Sequence, residues 1–319
     1  MLQNFFLRQT PVESGLTLAI TLFTVALVIF TLVYLYQSWI QNTEGLTKIA
    51  SRIRFLWVLT IVFMLAALYS YKVLLIYIAF VSFLALKEFL SITPTRRTDR
   101  RVLLWAYLSI PIQFFFIWMG WFEAFILFVP IHVFLIFPMV MIIMGDTEGF
   151  LRAWSMLGWG IITTVYTLGY LAAVLVLPVL ADRAAEGIGL ALFLVGLAKI
   201  NHAAHYIFGQ RFSNPALSFS VSETRNWASL IGGILITIPL AWLLAPLITP
   251  FGRLNAIWIG VLISISGFIG YIILSAIKTS LNLRDRGSMT PGSGGVLNRI
   301  DTFVYAAPLY FYIVRSLYF

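Results

Sequence analysis

A bilayer core about 30 Å thick demands about 20 apolar residues from any helix that crosses it, and this chain supplies such runs almost end to end. They fall at about 16–38, 55–71, 73–91, 102–119, 122–144, 153–180, 187–200, 227–248, 255–277 and 302–318. The spacing predicts an all-α, polytopic membrane helical bundle of about 9–10 transmembrane helices. Only Tyr69-Ser70-Tyr71-Lys72 separates the second run from the third, which predicts a tight hairpin. The seventh run is short, so it is expected to be re-entrant or to extend into the loop after it. The last is short as well. Residues 1–15 carry one basic residue, Arg8, and precede a run long enough to span, so a cleavable signal peptide is not expected.

Composition agrees with lipid as the solvent. Of 319 residues 61% are hydrophobic and 10% are charged, against about 25% charged in a soluble domain. The net charge of +9 does not point to nucleic acid, because the basic residues are spread over short loops between apolar runs, where lipid head groups and topology account for them. With no cysteine there are no disulfides and no thiolate chemistry.

Lysine and arginine also set the orientation. Lys48, Arg52, Arg54, Lys87, Arg96, Arg97, Arg100, Arg101, Arg152, Lys199, Arg211, Arg225, Lys278, Arg284, Arg286 and Arg299 fall in odd-numbered loops, sixteen of the twenty-one; Arg8, Lys72, Arg183, Arg253 and Arg315 fall on the other side. The positive-inside bias makes the odd loops cytoplasmic. The densest basic run, Arg96 to Arg101, reads as a topology determinant that also touches anionic lipid, or as a recruitment site for an acidic partner.

Four stretches could carry chemistry. Asp146 and Glu148 in the turn at 145–149 could hold a divalent cation or form a solvated helix cap. His202 and His205 are three apart, so on a helix they share a face and could act together, although a zinc site needs a third ligand. Ser222, Thr224 and Arg225 precede the eighth run and could receive a phosphate, or serve as a cap before an interfacial Trp227. The most informative stretch is Ser275 to Asp301. There Lys278, Arg284, Arg286 and Arg299 crowd Asp285 and Asp301 around the turn Pro291-Gly292-Ser293-Gly294-Gly295. Glycines let consecutive N–H groups face an anion, arginine forks onto phosphate oxygens, and carboxylates hold a bridging metal. No charged residue sits midway along an apolar run, and no inverted repeat is visible, so a transporter or scramblase has no support.

This last stretch resembles the signature of the phosphatidate cytidylyltransferase (CDP-diacylglycerol synthase) family, approximately S-x-x-K-R-x-x-x-x-K-D-x-x-x-x-x-P-G-H-G-G-x-x-D-R-x-D. Ser275, Lys278, Asp285, Pro291, Gly292, Gly294, Gly295, Arg299 and Asp301 match without a gap, and Arg284 replaces a lysine. Asn201–Gly209 and Ser222–Gly233 resemble two upstream motifs. Ser82–Glu88 and the Gly145–Phe150 turn are similar to the smaller branch of the family. The resemblance implies transfer of a cytidylyl group from CTP to a phosphatidate-like membrane phospholipid, with Mg2+ as cofactor if the chain is active. It implies catalytic roles for Lys278, Asp285 and Asp301, with metal held by Asp285 and Asp301. Phosphate binding falls to Ser222, Arg225, Ser275, Lys278, Arg284, Gly292, Gly294, Gly295 and Arg299. The expected place is a bacterial inner membrane with the signature loop cytoplasmic; a homodimer stays open. Residues 1–150 and 151–319 would be the N-terminal helices and the signature-bearing helices of one unit.

The chain departs from the pattern at His202 and Tyr271, where aspartates stand, at Asn298 for aspartate, at Thr279 for arginine and at Ser293 for histidine. These replacements predict weakened or lost turnover. The alternative is a catalytically inactive lipid-phosphate-binding or regulatory relative.

Overall fold

The computed structural model describes residues 46–93, 100–144, 149–181, 184–212, 218–219, 222–280 and 295–319, with single helical positions at 21, 24 and 28. Apart from those three positions the first expected span lies outside the described residues. Asp146, Glu148, Arg284, Asp285, Arg286, Pro291, Gly292, Ser293 and Gly294 lie outside them too.

Each of the other nine apolar runs is a helix. In chain order these are α1 (Leu46–Tyr69), α2 (Tyr71–Ile92), α3 (Arg100–Trp118), α4 (Phe122–Leu127), α5 (Phe134–Met144), α6 (Phe150–Ile161), α7 (Thr167–Val176), α8 (Ala184–Arg211), α9 (Trp227–Ile248), α10 (Arg253–Ser280), the single turn α11 (Leu297–Ile300) and α12 (Phe303–Tyr318). π-Helical turns at Phe128–Val133 and Ile162–Tyr166 join α4 to α5 and α6 to α7. Among the described residues six stretches are long and apolar enough to cross a membrane: 71–92, 122–143, 150–180, 186–211, 227–248 and 253–280. The protein is an all-α polytopic membrane bundle. One small exception to its helical character is a hairpin of β1 (Ser218–Phe219) and β2 (Ser222–Asn226), paired antiparallel.

Local chemistry explains several boundaries. Ser70 accepts the Lys72 N–H at 3.2 Å and so caps α2 immediately after α1 ends. The hairpin is held from the side where the Tyr77 hydroxyl donates to the Leu59 carbonyl at 2.8 Å. Asn226 caps α9 by accepting the Ser229 N–H at 2.8 Å, and Trp227 follows it. The seventh run is not re-entrant; of the two expectations, extension into the stretch after it is the one observed. It continues through polar residues as the 28-residue α8, because those residues find partners on other helices. This also corrects the expectation of no charge midway along a run: Lys199 lies near the middle of α8.

The 150–180 stretch is the axis of the bundle, with 89% of its apolar window buried. At its π-turn the Thr164 carbonyl accepts the Ser82 hydroxyl of α2 at 3.1 Å, so a carbonyl displaced from the regular ladder is taken up by a neighbouring helix. Helix α8 packs against both α7 and α9, and it can do so because Gly187 and Gly189 present no side chain. A Cβ at Gly187 would run into the Leu175 carbonyl and one at Gly189 into the Ile248 carbonyl. Gly189→Ala is therefore expected to lower stability by about 1–3 kcal/mol through overpacking. Gly252→Ala, with nothing within 4 Å of the added methyl, should stay near the parent. Thermal melting of the two variants in detergent checks this; equal shifts would contradict the close α8–α9 approach.

Candidate functional site

The C-terminal parts of α2, α8 and α10 meet at one end of the bundle, beside α11 and the start of α12. Helix α8 shapes this end by turning successive polar residues in opposite directions. Asn201 and His205 point inward. The Asn201 carbonyl oxygen accepts the Thr237 hydroxyl at 3.0 Å and the Ser264 hydroxyl at 2.8 Å, which joins α8 to α9 and α10. His205 lies with Nδ1 2.7 Å from the Ser229 carbonyl and its ring against Phe268. Both residues are fully buried.

Lys199 and His202 point instead to the junction of α11 and α12. The Lys199 ammonium donates to the Arg299 carbonyl and stands 5.0 Å from the centre of the Phe303 ring. His202 Nδ1 lies 3.8 Å from Asp301 Oδ1, with side chains 36% and 5% exposed. Tyr271 of α10 packs edge-on against the His202 ring at 5.8 Å. The two imidazoles therefore do not act together. Three helical positions separate them by about 60° around the axis, enough for one to enter the α8–α9–α10 interior while the other reaches Asp301.

Asp301 is buried and its Oδ1 accepts the Thr302 N–H at 2.7 Å. Lys278, near the end of α10, donates to the Asn298 side-chain oxygen and lies within electrostatic reach of both Asp301 and Glu88. Thr279, where the signature has arginine, turns its hydroxyl back to the Ser275 carbonyl at 2.9 Å. The opposite wall is Glu88, buried near the end of α2, whose Oε2 accepts the Val296 N–H at 2.6 Å and the Leu297 N–H at 3.3 Å. Arg299 lies within electrostatic reach of Glu88 and of Lys199. Three cations (Lys199, Lys278, Arg299) and two carboxylates (Glu88, Asp301) thus converge, and His202 adds to the positive side when protonated. An excess of cations in a poorly solvated place suits an anionic ligand.

Of the residues expected from the sequence, the structure brings Lys278, Gly295, Asn298, Arg299, Asp301, His202 and Tyr271 to this end, with Ser275 and Thr279 on the adjoining turns of α10. Ser222 and Arg225 lie on β2, which leads into α9. Arg284, Asp285, Gly292, Ser293 and Gly294 fall outside the described residues. Two participants were not expected at the site: Glu88, named only as the end of the family-like segment Ser82–Glu88, and Lys199, named only for its charge. Both were ionisable residues inside or at the edge of apolar runs, a signal that marks function or pairing by default.

A hard cation such as Mg2+ takes six oxygen ligands in near-ideal octahedral geometry. Around Asp301 the described neighbours are an imidazole and ammonium groups, the Asn298 oxygen is engaged by Lys278, and Glu88 is engaged by backbone amides. No group of three or more His, Cys, Asp or Glu among the described residues could hold a metal ion. Asp285, which the signature pairs with Asp301 as a metal holder, lies outside the described residues.

Comparison with known proteins places this geometry. The cytidylyltransferase family profile matches residues 50–317. The chain belongs to the cytidylyltransferase family. It is 34% identical over 295 residues to the uncharacterised protein YnbB of Escherichia coli (strain K12), covering 92% of this chain and 96% of that one. It is 31% identical over 118 residues to the phosphatidate cytidylyltransferase of Brucella suis biovar 1, covering 37% of this chain and 44% of the enzyme. Over 143 residues it is 31% identical to phosphatidate cytidylyltransferase 5, chloroplastic, of Arabidopsis thaliana, covering 43% of this chain and 35% of that protein. The match therefore covers less than half the length of each of these two enzymes.

At this end of the bundle Gly295 stands out for its lack of room. A Cβ there would collide with the Glu88 carboxylate. Gly295→Ala should push Glu88 off the Val296 and Leu297 amides and cost about 1–3 kcal/mol as two buried donors lose their acceptor. A melting shift no larger than that of Gly252→Ala would contradict this contact.

Proposed function

We propose that the protein is an integral membrane cytidylyltransferase of the CDP-diacylglycerol synthase type, joining the cytidylyl group of CTP to phosphatidate or a related lipid phosphate. The observation that carries this reading is the convergence, among the described residues, of Lys199, Lys278 and Arg299 on two carboxylates, with Lys278, Arg299 and Asp301 matching the family signature. In the reaction a phosphate oxygen of the lipid forms a bond to the α-phosphorus of CTP. The bond from that phosphorus to the oxygen bridging to the β-phosphate breaks, and pyrophosphate leaves with the electron pair. Negative charge accumulates on the phosphates in the transition state, and preorganised cations aimed at it are the largest lever a site can apply. Lys278 and Arg299 take that role. Asp301 holds the imidazole of His202 close by. The distribution of lysine and arginine supports placing this end on the cytoplasmic side, and the membrane proposed is a bacterial inner one.

A second reading is favoured by one observation: His202 and Asn298 stand where the signature has aspartates, and each is already joined to a charged neighbour, Asp301 and Lys278. On that reading the site binds a lipid phosphate without turning it over.

Purified full-length protein, labelled CTP and several lipid phosphates, with and without Mg2+, separate the two. The first reading expects labelled CDP-lipid together with pyrophosphate, and a rate reduced about 10²–10³-fold in Lys278→Ala, the usual cost of removing one transition-state donor. Binding of lipid phosphate without product, and product appearing only after His202→Asp and Asn298→Asp are combined, would establish the second reading. No product above a mock preparation under any of these conditions rejects the first.

A further inference from the structure

Helix α11 is a single turn, Leu297–Ile300, yet it carries Asn298 and Arg299 and delivers Asp301. A helix leaves its first four N–H groups and last four carbonyls without internal partners. In one turn that means nearly all of them, and so short a helix has no intrinsic stability of its own. It runs into α12 through Asp301 and Thr302, whose backbones are helical, and Val296, Leu297 and Ile300 are buried in the core, so what needs outside partners is its polar ends.

Two polar side chains satisfy its ends. Glu88 on α2 accepts the N–H groups of Val296 and Leu297, at the N-terminal end. Lys199 on α8 donates to the carbonyl of Arg299, at the C-terminal end, and covers Phe303 where α12 begins. The polarity is that of the turn itself, an acceptor where N–H groups are exposed and a donor where carbonyls are. The two residues come from parts of the chain 208 and 100 positions away from their partners. A leucine at position 88 would satisfy an apolar helix at far lower cost than a carboxylate, and Gly295 leaves the space that this carboxylate fills.

We infer that Glu88 and Lys199 are positioning residues: they grip α11 from its two ends and so fix the direction in which Asn298, Arg299 and Asp301 face the ligand. The grip stands on the hydrogen bonds alone; its consequence for ligand binding rests on the reading under Proposed function.

Hydrogen exchange of full-length protein in lipid nanodiscs, read on the peptide covering 295–302, tests it. Glu88→Leu should raise exchange of the Val296 and Leu297 amides about tenfold or more, since each loses a buried charge-assisted bond. Peptides from α9 and α10 should remain as protected as in the parent. Glu88→Gln keeps an acceptor oxygen and should stay within about threefold of the parent. Lys199→Met should loosen the same peptide. In parallel, CTP binding should weaken about tenfold or more in Glu88→Leu and Lys199→Met and be largely retained in Glu88→Gln. Unchanged exchange at 295–302 in both Glu88→Leu and Lys199→Met overturns the grip, and so does Glu88→Gln loosening as much as Glu88→Leu. Should Glu88→Leu unfold α9 and α10, the Glu88→Gln and Lys199→Met peptides decide. A parent that binds no CTP sinks the proposed function and leaves the exchange result to be judged by itself.

Discussion

A polar side chain inside an apolar bundle has no water to turn to, and Asn201 meets that demand by joining three helices. Its carbonyl oxygen takes hydroxyls from Thr237 on α9 and Ser264 on α10, which sets α8, α9 and α10 in fixed register at one depth. Gly233 is part of the same arrangement, because a side chain there would overlap His205 and Asn201. Exchanging such a satisfied group for an unsatisfied one costs about 1–3 kcal/mol, so the register is strongly preferred. Lys199 lies half a turn before Asn201 and His202 follows it directly. Their reach to Arg299 and Asp301 depends on this knot.

Charge is handled by the same logic. Glu88, Lys199, Lys278, Arg299 and Asp301 would each be expensive alone in lipid. Here Lys199 donates to the Arg299 carbonyl and Lys278 to the Asn298 side chain, while Glu88 and Asp301 accept backbone amides, and among the described residues a small surplus of positive charge is left for an anion. The far end of the bundle shows the contrast. There Arg315 and Glu123 pair at 2.6 Å on the surface, one cation against one acid, with no surplus to attract a phosphate.

Periodicity and run length were enough to read most of the fold. Helix α9 begins and ends where its apolar run does, because Asn226 supplies a cap and Thr249 turns extended at the other end. Run length left two alternatives where polar residues are internally satisfied: around Lys199, Asn201 and His205 the run was either re-entrant or extended, and α8 continues past all of them to Arg211. Local composition also located the signature end, since Lys278, Arg299 and Asp301 are close in sequence. It could not show Glu88 gripping Val296 and Leu297, a contact whose partners lie 208 residues apart. Nor could it show that His202 would pair with Asp301 rather than with His205, which depends on how α8 is rotated against α10 and α12.

The central claim is that this cluster of cations receives the phosphates of a nucleotide or lipid. Equilibrium binding of labelled CTP to the purified full-length protein, in the parent and in Lys278→Ala, tests it most directly. Saturable binding in the parent that falls about tenfold or more in Lys278→Ala, as expected on losing one charge-assisted contact, is the predicted result. Equal binding in the two proteins, or none in the parent with either CTP or phosphatidate vesicles, would contradict it.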